Sequence, residues 1–362
     1  MHRQQVSKPD GRKLILYSRR PMVEITRAPS PRPTAVDANP HLRWHPLRGE
    51  WITYASHRQD RTFLPPTEYS PLAPSNDPNF PTELPLGDYE VAVFDNLFPS
   101  LSLSSHDAPK LHVPTRPGTG HCEVVVFTQD ANTSLGRLPV SHIDLLIEVW
   151  GERYTELGKN PEIKYVMPFE NRGVEVGVTL HHPHGQIYAY PVVPPIPAKE
   201  LEQQKAYLEQ HGRGLLEDMI NDELQDARRI IFAGEHVVAF VPICARYSYE
   251  IWIAPKRTAP SLAALTAEAR RELALALKTV LLKYDGLWNK PFPYLMVIHQ
   301  APTDGNDHPE AHVHIEIYPP YRTQNKLKYL AGTEIGAGFF ASDSLPEEKA
   351  QELKAIFINL ES

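Results

Sequence analysis

The stretch HHPHGQIYAY, residues 181–190, has a counterpart in HVHIEIY, residues 312–318. Each contains two histidines one residue apart, followed by β-branched and aromatic residues that are typical of a strand. In both halves of the chain, this H-x-H-x-(Q/E)-I-Y pattern follows predicted strands and one amphipathic helix. A repeat of pattern and context predicts an α+β fold built from two copies of one unit.

Apolar periodicity predicts the other elements. One helix is expected from Ser141, which forms a capping-box pattern with Asp144, to Gly158. A charged helical stretch is expected over about 199–229, and another helix begins near Thr266. The apolar faces of the first and last helices are Ile143, Leu146, Ile147 and Trp150, and Leu273, Leu277, Val280, Leu281 and Tyr284. The predicted strands are 90–94, 122–128, 163–169, 174–179, 186–190, 236–243, 249–254, 294–299 and 312–318.

Proline-rich segments and the repeat together predict the domain organisation. Residues 1–40 are expected to form an extended arm that lies on the body of the protein or on a partner. The first unit is expected over 41–195 and the second over 196–345. A C-terminal helix is expected over 346–362.

The composition of the 362-residue chain limits its class. Hydrophobic residues make up 41%, which is ordinary for a globular protein. A net charge of −7 without a long basic run argues against nucleic acid as a partner. No apolar run predicts a membrane span or a signal peptide, so no membrane partner is expected. Cys122 and Cys244 cannot form a disulfide framework, which favours a cytoplasmic location.

The first histidine motif has the residues expected at a phosphoryl-transfer centre. On a strand, His182, His184 and Gln186 point to the same side. A neutral imidazole is a nucleophile towards phosphorus near neutral pH, and the Gln186 amide can donate to an oxygen anion. Gly185 is expected to allow the close approach of an anionic group. A polar turn or a structural metal site is the alternative, and the glutamine and glycine favour the phosphate chemistry.

The second motif has different chemistry. It lacks the glycine and has Glu316 where the first motif has Gln186, and a carboxylate is a poor partner for phosphate. His312 and His314 are instead suited to a divalent metal such as zinc or iron, with His299 as a third nitrogen ligand. His308 is expected to be an ordinary satisfied histidine.

These motifs, in their context, resemble the galactose-1-phosphate uridylyltransferase family, a branch of the histidine-triad superfamily. The resemblance runs from about Arg43 to about Glu334. It implies two histidine-triad-like halves, each an antiparallel half-barrel sheet with helices, related by internal duplication. The motifs that carry it are PLRGEWI at 46–52, HRQDR at 57–61, FENRG at 169–173, HPHGQ at 182–186, FPY at 292–294, His314 and YPP at 318–320.

The resemblance implies an enzyme of galactose metabolism that exchanges UMP between UDP-glucose and galactose 1-phosphate. The implied route is ping-pong through a uridylyl-histidine. His184 corresponds to the nucleophile, and Gln186 to the glutamine that hydrogen-bonds the transferred phosphoryl oxygens. Family members are commonly homodimers, so a homodimer is expected. The positions assigned to substrate binding are Arg58, Arg61, Asn96, Asn171, His182, Lys328 and Glu334.

The resemblance also implies one structural divalent metal, zinc or iron. Its ligands correspond to Glu200, His299, His312 and His314.

A second zinc site of many family members is predicted to be absent. Ser70 and Ala73 stand at its two cysteine positions, and Asn132 stands where its further histidine belongs. Of the expected ligands only His182 remains.

Substrate preference is less firmly implied than reaction class. Leu97 replaces an aspartate near the nucleotide, and residues 336–340 offer no counterpart to a glutamine that contacts the hexose. One alternative is a related nucleotidylyltransferase or phosphorylase that uses ADP-glucose or a dinucleoside polyphosphate. A hydrolase of the histidine-triad type is disfavoured, because those proteins have a histidine where this chain has Gln186. The remaining alternative is a nucleotide- or metal-binding module without turnover.

Overall fold

The computed structural model describes residues 1–32, 34–60 and 70–361. Within these residues the helices are α1 (Val140–Gly158), α2 (Pro195–His211), α3 (Leu215–Asp226), α4 (Ala267–Leu287) and α5 (Pro346–Lys354). The strands are β1 (His2–Ser7), β2 (Lys13–Ser18), β3 (His41–His45), β4 (Glu50–Tyr54), β5 (Val91–Asp95), β6 (Thr115–Pro117), β7 (His121–Val126), β8 (Tyr165–Arg172), β9 (His184–Tyr190), β10 (Ile230–Ala233), β11 (Val237–Phe240), β12 (Ile251–Pro255), β13 (Tyr294–His299), β14 (His314–Tyr318), β15 (Tyr321–Thr323) and β16 (Lys326–Leu327).

Eleven strands form one antiparallel sheet in the order β1-β2-β5-β7-β9-β8-β13-β14-β12-β11-β10. The sequence β5-β7-β9-β8 in the first half is mirrored by β11-β12-β14-β13 in the second. The halves meet where β8 pairs with β13, with Val297 opposite Phe169 and Tyr294 opposite Arg172. The predicted α+β fold is confirmed, and the two units share a continuous sheet. Small sheets β4-β3-β6 and β15-β16 lie outside it.

The predicted helix faces lie in the core. Every residue assigned to the apolar faces of α1 and α4 is at most 1% exposed. The two helices pack against each other and against the sheet, so that they close one side of it. The Thr266 hydroxyl accepts a hydrogen bond from the Ala269 amide, which caps α4.

The predicted capping box of α1 is wrong. The helix begins at Val140, after Pro139, without a side-chain cap. Asp144 instead forms ion pairs with Arg19 and Arg270. The Asp144 carboxylate therefore pairs with two arginines from distant parts of the chain and does not cap the helix, as the local pattern had predicted it would.

The expectation of an extended N-terminal arm is wrong for the first eighteen residues. Strands β1 and β2 form a hairpin that extends the sheet, with Leu14 opposite Phe94 and Tyr17 opposite Val91. Leu14, Leu16 and Tyr17 are fully buried. Their burial ties this hairpin to the first half. The described part of 19–40 contains neither helix nor strand.

Three further differences concern the type or the bounds of predicted elements. The predicted strand at 174–179 is instead a 3-10 turn between Gly173 and Gly177, both at positive φ (98° and 78°). The charged stretch over 199–229 forms two helices, because Gly212 ends α2 in the left-handed region. The predicted C-terminal helix extends only over Pro346–Lys354. No helix in the described part of the chain is both long and apolar enough to span a bilayer.

Candidate active site

A cavity of about 230 Å³ opens beside the ends of β5, β7 and β9. Its apolar wall includes Leu72, Phe94, Leu97, Phe98 and Leu180. Its polar wall includes Arg32, Arg58, Glu83, Asn96, His184 and Gln186. The alternation of β9 brings His184 and Gln186 to one face. His182, predicted on the same strand face, precedes β9 and does not line the cavity. The cavity therefore combines an apolar surface with a nucleophile and several hydrogen-bond donors.

The backbone sets the tautomer of His184. Its Nδ1 lies 2.7 Å from the carbonyl oxygen of His182, which can only accept a hydrogen bond. Nδ1 therefore carries the proton, and Nε2 keeps its lone pair. Burial lowers the pKa of His184 below 6.5, and this outweighs the opposing effect of the His182 carbonyl. The imidazole is consequently a free base at neutral pH.

Asn96 orients the amide of Gln186. The Asn96 Oδ1 accepts from the Phe98 backbone N–H at 2.9 Å, so its Nδ2 is the donor towards Gln186. The Gln186 Oε1 accepts that bond at 3.2 Å, which leaves the Gln186 amide hydrogens free to point into the cavity. A donor fixed in this way needs no reorientation to bind an oxygen anion.

Two arginines bring positive charge to the same cavity. Arg58 donates to the Phe98 carbonyl at 2.7 Å and lies 3.4 Å from the Tyr188 hydroxyl. Arg32 lies over the Phe98 ring, 5.2 Å from its centroid. Arg32 was missed by the sequence reasoning, because it lies in the proline-rich segment assigned to an arm.

His182 does not line the cavity. Its Nε2 donates to the Thr128 carbonyl at 2.7 Å, and its Nδ1 lies 3.1 Å from the Ser70 hydroxyl, which donates to it. Both ring nitrogens are thus occupied by hydrogen bonds. Ser70 stands at one of the two cysteine positions of the second zinc site that the sequence predicts to be absent. Its hydrogen bond holds His182, two residues before His184 at the start of β9.

A group of side chains that could hold a metal ion lies in the second half, between α2 and the sheet. Ligand atoms of Glu200, His299, His314 and Glu316 all lie within 4.8 Å of one another. The His299 Nδ1 is 2.6 Å from the Glu200 carboxylate. Glu316 was not predicted as a member, although its position two residues after His314 places it on the same strand face.

His312 lies against the same small space and repeats the bonding of His182. Its Nε2 donates to the Pro255 carbonyl at 2.8 Å, and the His314 Nδ1 donates to the His312 carbonyl at 2.8 Å. The His312 Nδ1, however, is buried without a partner among the described residues. A buried imidazole lone pair beside two histidines and a carboxylate fits a divalent metal such as zinc.

Gly185 is required by close packing in the core and not by the approach of a ligand. A Cβ at this position would lie 2.7 Å from the Phe169 carbonyl oxygen and 2.9 Å from the Phe127 ring. The side chain would point into the core, opposite to His184. The glycine therefore permits close packing of β9, which corrects the expectation that it admits an anionic group.

We expect Gly185→Ala to lower the free energy of unfolding by about 1–3 kcal/mol, because a strand backbone and a buried ring must move. Thermal unfolding measures this. Gly177→Ala is a comparison in open space, where only the positive φ is strained. If Gly185→Ala unfolds at the wild-type temperature, the packing explanation is wrong.

Four of the other predicted substrate residues do not line this cavity or lie outside the described residues. Asn171 lies on β8, and continuing the register of Phe169 with Gln186 by two residues places it level with His184. Lys328 and Glu334 form an ion pair of 2.8 Å in the C-terminal segment and do not line the cavity. Arg61 lies outside the described residues.

A larger opening of about 700 Å³ adjoins the cavity and shares Arg58 and Thr179 with it. It is lined by His41, Arg43 and Tyr54 from the small sheet. The Arg43 guanidinium lies 4.0 Å from the Tyr54 ring centroid. A ligand too large for the smaller cavity thus has adjoining space with polar walls.

Comparison with known proteins identifies the family. Two profiles match, described as the N-terminal domain of galactose-1-phosphate uridyl transferase (residues 31–194) and its C-terminal domain (200–361). Galactose-1-phosphate uridylyltransferase of Thermotoga maritima is 35% identical over 320 residues, which cover 86% of this chain and 97% of the relative. A solved uridylyltransferase structure is 33% identical, with a TM-score of 0.78 and coverage of 87% of this chain and 97% of that one.

An ADP-glucose phosphorylase from Arabidopsis thaliana, solved with bound ADP-glucose, is also similar. It is 25% identical, with a TM-score of 0.65, and the likeness covers 88% of this chain and 100% of that one. The first profile match ends at residue 194 and the second begins at residue 200. On this evidence the chain belongs to the galactose-1-phosphate uridylyltransferase family.

Proposed function

We propose that this enzyme transfers a uridylyl group between UDP-glucose and galactose 1-phosphate, through a covalent intermediate on His184. The observation that carries the proposal is the free Nε2 of His184 beside the oriented amide of Gln186, in a member of this family. A half-buried imidazole with a fixed tautomer is suited to nucleophilic attack, and the amide to binding phosphoryl oxygens.

The chemistry is an in-line displacement at the α-phosphorus. The His184 Nε2 forms a bond to phosphorus while the bond to the bridging oxygen breaks, and glucose 1-phosphate leaves. The ring then carries a positive charge, and its Nδ1–H keeps donating to the His182 carbonyl, a charge-assisted hydrogen bond. Galactose 1-phosphate attacks the same phosphorus in reverse. Arg58 and Gln186 offset the negative charge of the phosphoryl oxygens.

A burst experiment tests this function. Stoichiometric enzyme mixed with UDP-glucose should release about one equivalent of glucose 1-phosphate per site, and radiolabel in the uridylyl group should remain on His184. Labelled ADP-glucose is the parallel substrate, because an ADP-glucose phosphorylase is among the similar structures. Stable labelling by ADP-glucose alone would favour the alternative activity, and no labelling by either would contradict nucleotidyl transfer.

The pH dependence of the first half-reaction should follow His184. Because burial places its pKa below 6.5, the free base predominates at neutral pH and is lost as the pH falls through that pKa. We expect the burst rate to be flat near pH 7 and to decline only on the acid side, with a midpoint below 6.5. Rapid-quench measurements between pH 5 and 8 give this profile. A midpoint above pH 7 would be inconsistent with the assigned environment.

We also propose that Glu200, His299, His312 and His314 hold one divalent metal, zinc or iron. Glu200, His299 and His314 belong to the cluster of ligand atoms, whose fourth member is Glu316. His312 lies outside that cluster, and its unpartnered, buried Nδ1 in the same small space supports its inclusion. The metal would supply a structural crosslink between α2 and the strands β13 and β14. No step of the transfer is assigned to it.

A homodimer and a cytoplasmic location complete the proposal. Large apolar side chains are exposed within one short C-terminal segment, and they support a dimer interface, since exposed apolar patches commonly mark contact sites. They include Tyr329, Ile335 and Phe339, which are 76%, 61% and 73% exposed. Sedimentation equilibrium measures the oligomeric state, and a monomer at micromolar concentration would contradict the proposed dimer.

The contact of Lys328 and Glu334 with the hexose, predicted from the sequence, is also part of the proposed function.

A further inference from the structure

The carboxylate of Glu83 lies on the cavity wall and is held from behind by two buried cations. The Lys8 Nζ and the Arg12 Nη2, the latter at 2.8 Å, both bind the Glu83 Oε2. Lys8 also donates to the Glu83 backbone carbonyl at 2.7 Å. Lys8 and Arg12 belong to the N-terminal hairpin, which precedes the residues matched by the family profile. This hairpin thus anchors a side chain of the cavity.

The other oxygen of Glu83 is free. The Oε2 accepts both cations, and the Oε1 has no hydrogen-bond partner among the described residues. Glu83 as a whole is 6% exposed, and what remains accessible faces a cavity that it lines. A nearly buried carboxylate oxygen without a partner can accept a hydrogen bond from a bound ligand.

The charge of Glu83 limits which part of a ligand it can contact. A fixed carboxylate repels phosphate, so it suits a neutral, donor-bearing group and not the phosphoryl end at His184. Its neighbours on the cavity wall include the apolar Leu72, Phe94 and Leu97. An apolar surface beside a single acceptor suits a nucleoside, which has a flat base together with ribose hydroxyl and base N–H donors.

We propose that Glu83 determines specificity by accepting, through Oε1, a hydrogen bond from the nucleoside half of the nucleotide. The proposal rests on the proposed function, because it takes His184 as the site of the phosphoryl end. The Lys8 and Arg12 cations bind Oε2, which fixes the carboxylate and leaves Oε1 available to the ligand.

Glu83→Gln is the sharpest substitution. Lys8 and Arg12 require an oxygen acceptor, so the amide oxygen turns towards them and the NH₂ group takes the place of Oε1. A donor then meets the donor of the nucleoside. We expect the Kd of UMP and the KM of UDP-glucose to rise about tenfold or more, as for a lost hydrogen bond to a charged group. The KM of galactose 1-phosphate, measured on preformed uridylyl-enzyme, should stay unchanged.

Asp10→Asn is the matched control. Asp10 pairs with the same Arg12, at 2.7 Å, and is similarly buried, but it does not line the cavity. The substitution removes one negative charge from the cluster around Arg12 and leaves the Glu83 Oε1 acceptor unchanged. We expect its Kd for UMP to stay within about twofold of wild type, as for a site where no ligand contact is lost. If both variants weaken UMP binding equally, or if Glu83→Gln raises only the KM of galactose 1-phosphate, the proposal is overturned.

Wild-type enzyme provides a test that does not depend on how a variant folds. Calorimetry compares UMP with 2′-deoxy-UMP and 3-methyl-UMP, which remove a ribose donor and the base N–H in turn. A weaker Kd for at least one analogue, abolished in Glu83→Gln, supports the proposal and identifies the donor. Equal binding of all three contradicts it. Failure of wild type to bind UMP or form the covalent adduct would instead overturn the proposed function.

Discussion

His184→Gln should abolish both half-reactions, with turnover lowered by at least about 10⁴-fold, because removal of a covalent nucleophile leaves only binding and charge stabilisation. Glutamine fills a similar volume and can still bond the His182 carbonyl, so the cavity should keep its shape. The Kd for UDP-glucose should therefore change little. Rapid-quench release of glucose 1-phosphate and retention of uridylyl label on the protein measure the loss.

His181→Gln is the control for this substitution. His181 is exposed and adjoins the same motif, so its replacement changes the local imidazole content without touching the cavity. Its burst should equal that of wild type. Exchange of label between glucose 1-phosphate and UDP-glucose at a normal rate in His184→Gln would exclude the assigned nucleophile.

Removal of the proposed divalent metal should produce the largest loss of stability. A ligand present at a thousand times its dissociation constant stabilises the folded chain by about 4 kcal/mol. For a chain of this size that corresponds to a fall in melting temperature of roughly 5 °C on chelation. Metal analysis should find one zinc or iron per chain, and adding the metal back should restore the melting temperature.

His308 is the control histidine for the proposed metal ligands in this region. Its two ring nitrogens bond Asp304 and Glu310, both at 3.0 Å, so it is satisfied without a metal, as predicted. His308→Ala should retain one metal per chain, whereas His314→Ala should lose it. Full metal content in His314→Ala, or an unchanged melting temperature after chelation, would contradict the proposed site.

The comparison between His182 and His312 shows what a motif cannot specify. Both rings donate Nε2–H to a backbone carbonyl, and both precede a histidine that donates Nδ1–H to their own carbonyl oxygen. They differ at Nδ1, where Ser70 reaches His182 but no described residue reaches His312. The partner comes from a segment more than a hundred residues away, which local pattern does not reveal.

The charged residues of the N-terminal segment illustrate the same limit. Lys8 and Arg12 look like ordinary solvated residues in a polar stretch, and charged side chains are rarely buried without partners. Their partner Glu83 comes from a distant loop. Only the folded chain brings them together behind the cavity, which is why the sequence alone predicts an arm here.

The sequence by itself determined the periodic and the repeated features of this protein. The apolar faces of α1 and α4, the duplicated strand motif and the alternation of His184 with Gln186 follow from side-chain spacing, which is a property of local backbone geometry. Tertiary structure alone decided the sheet that joins the halves, the tautomers of the histidines, the orientation of Gln186 by Asn96 and the place of Glu83. These depend on contacts between residues far apart in the chain, and such contacts exist only once the chain has folded.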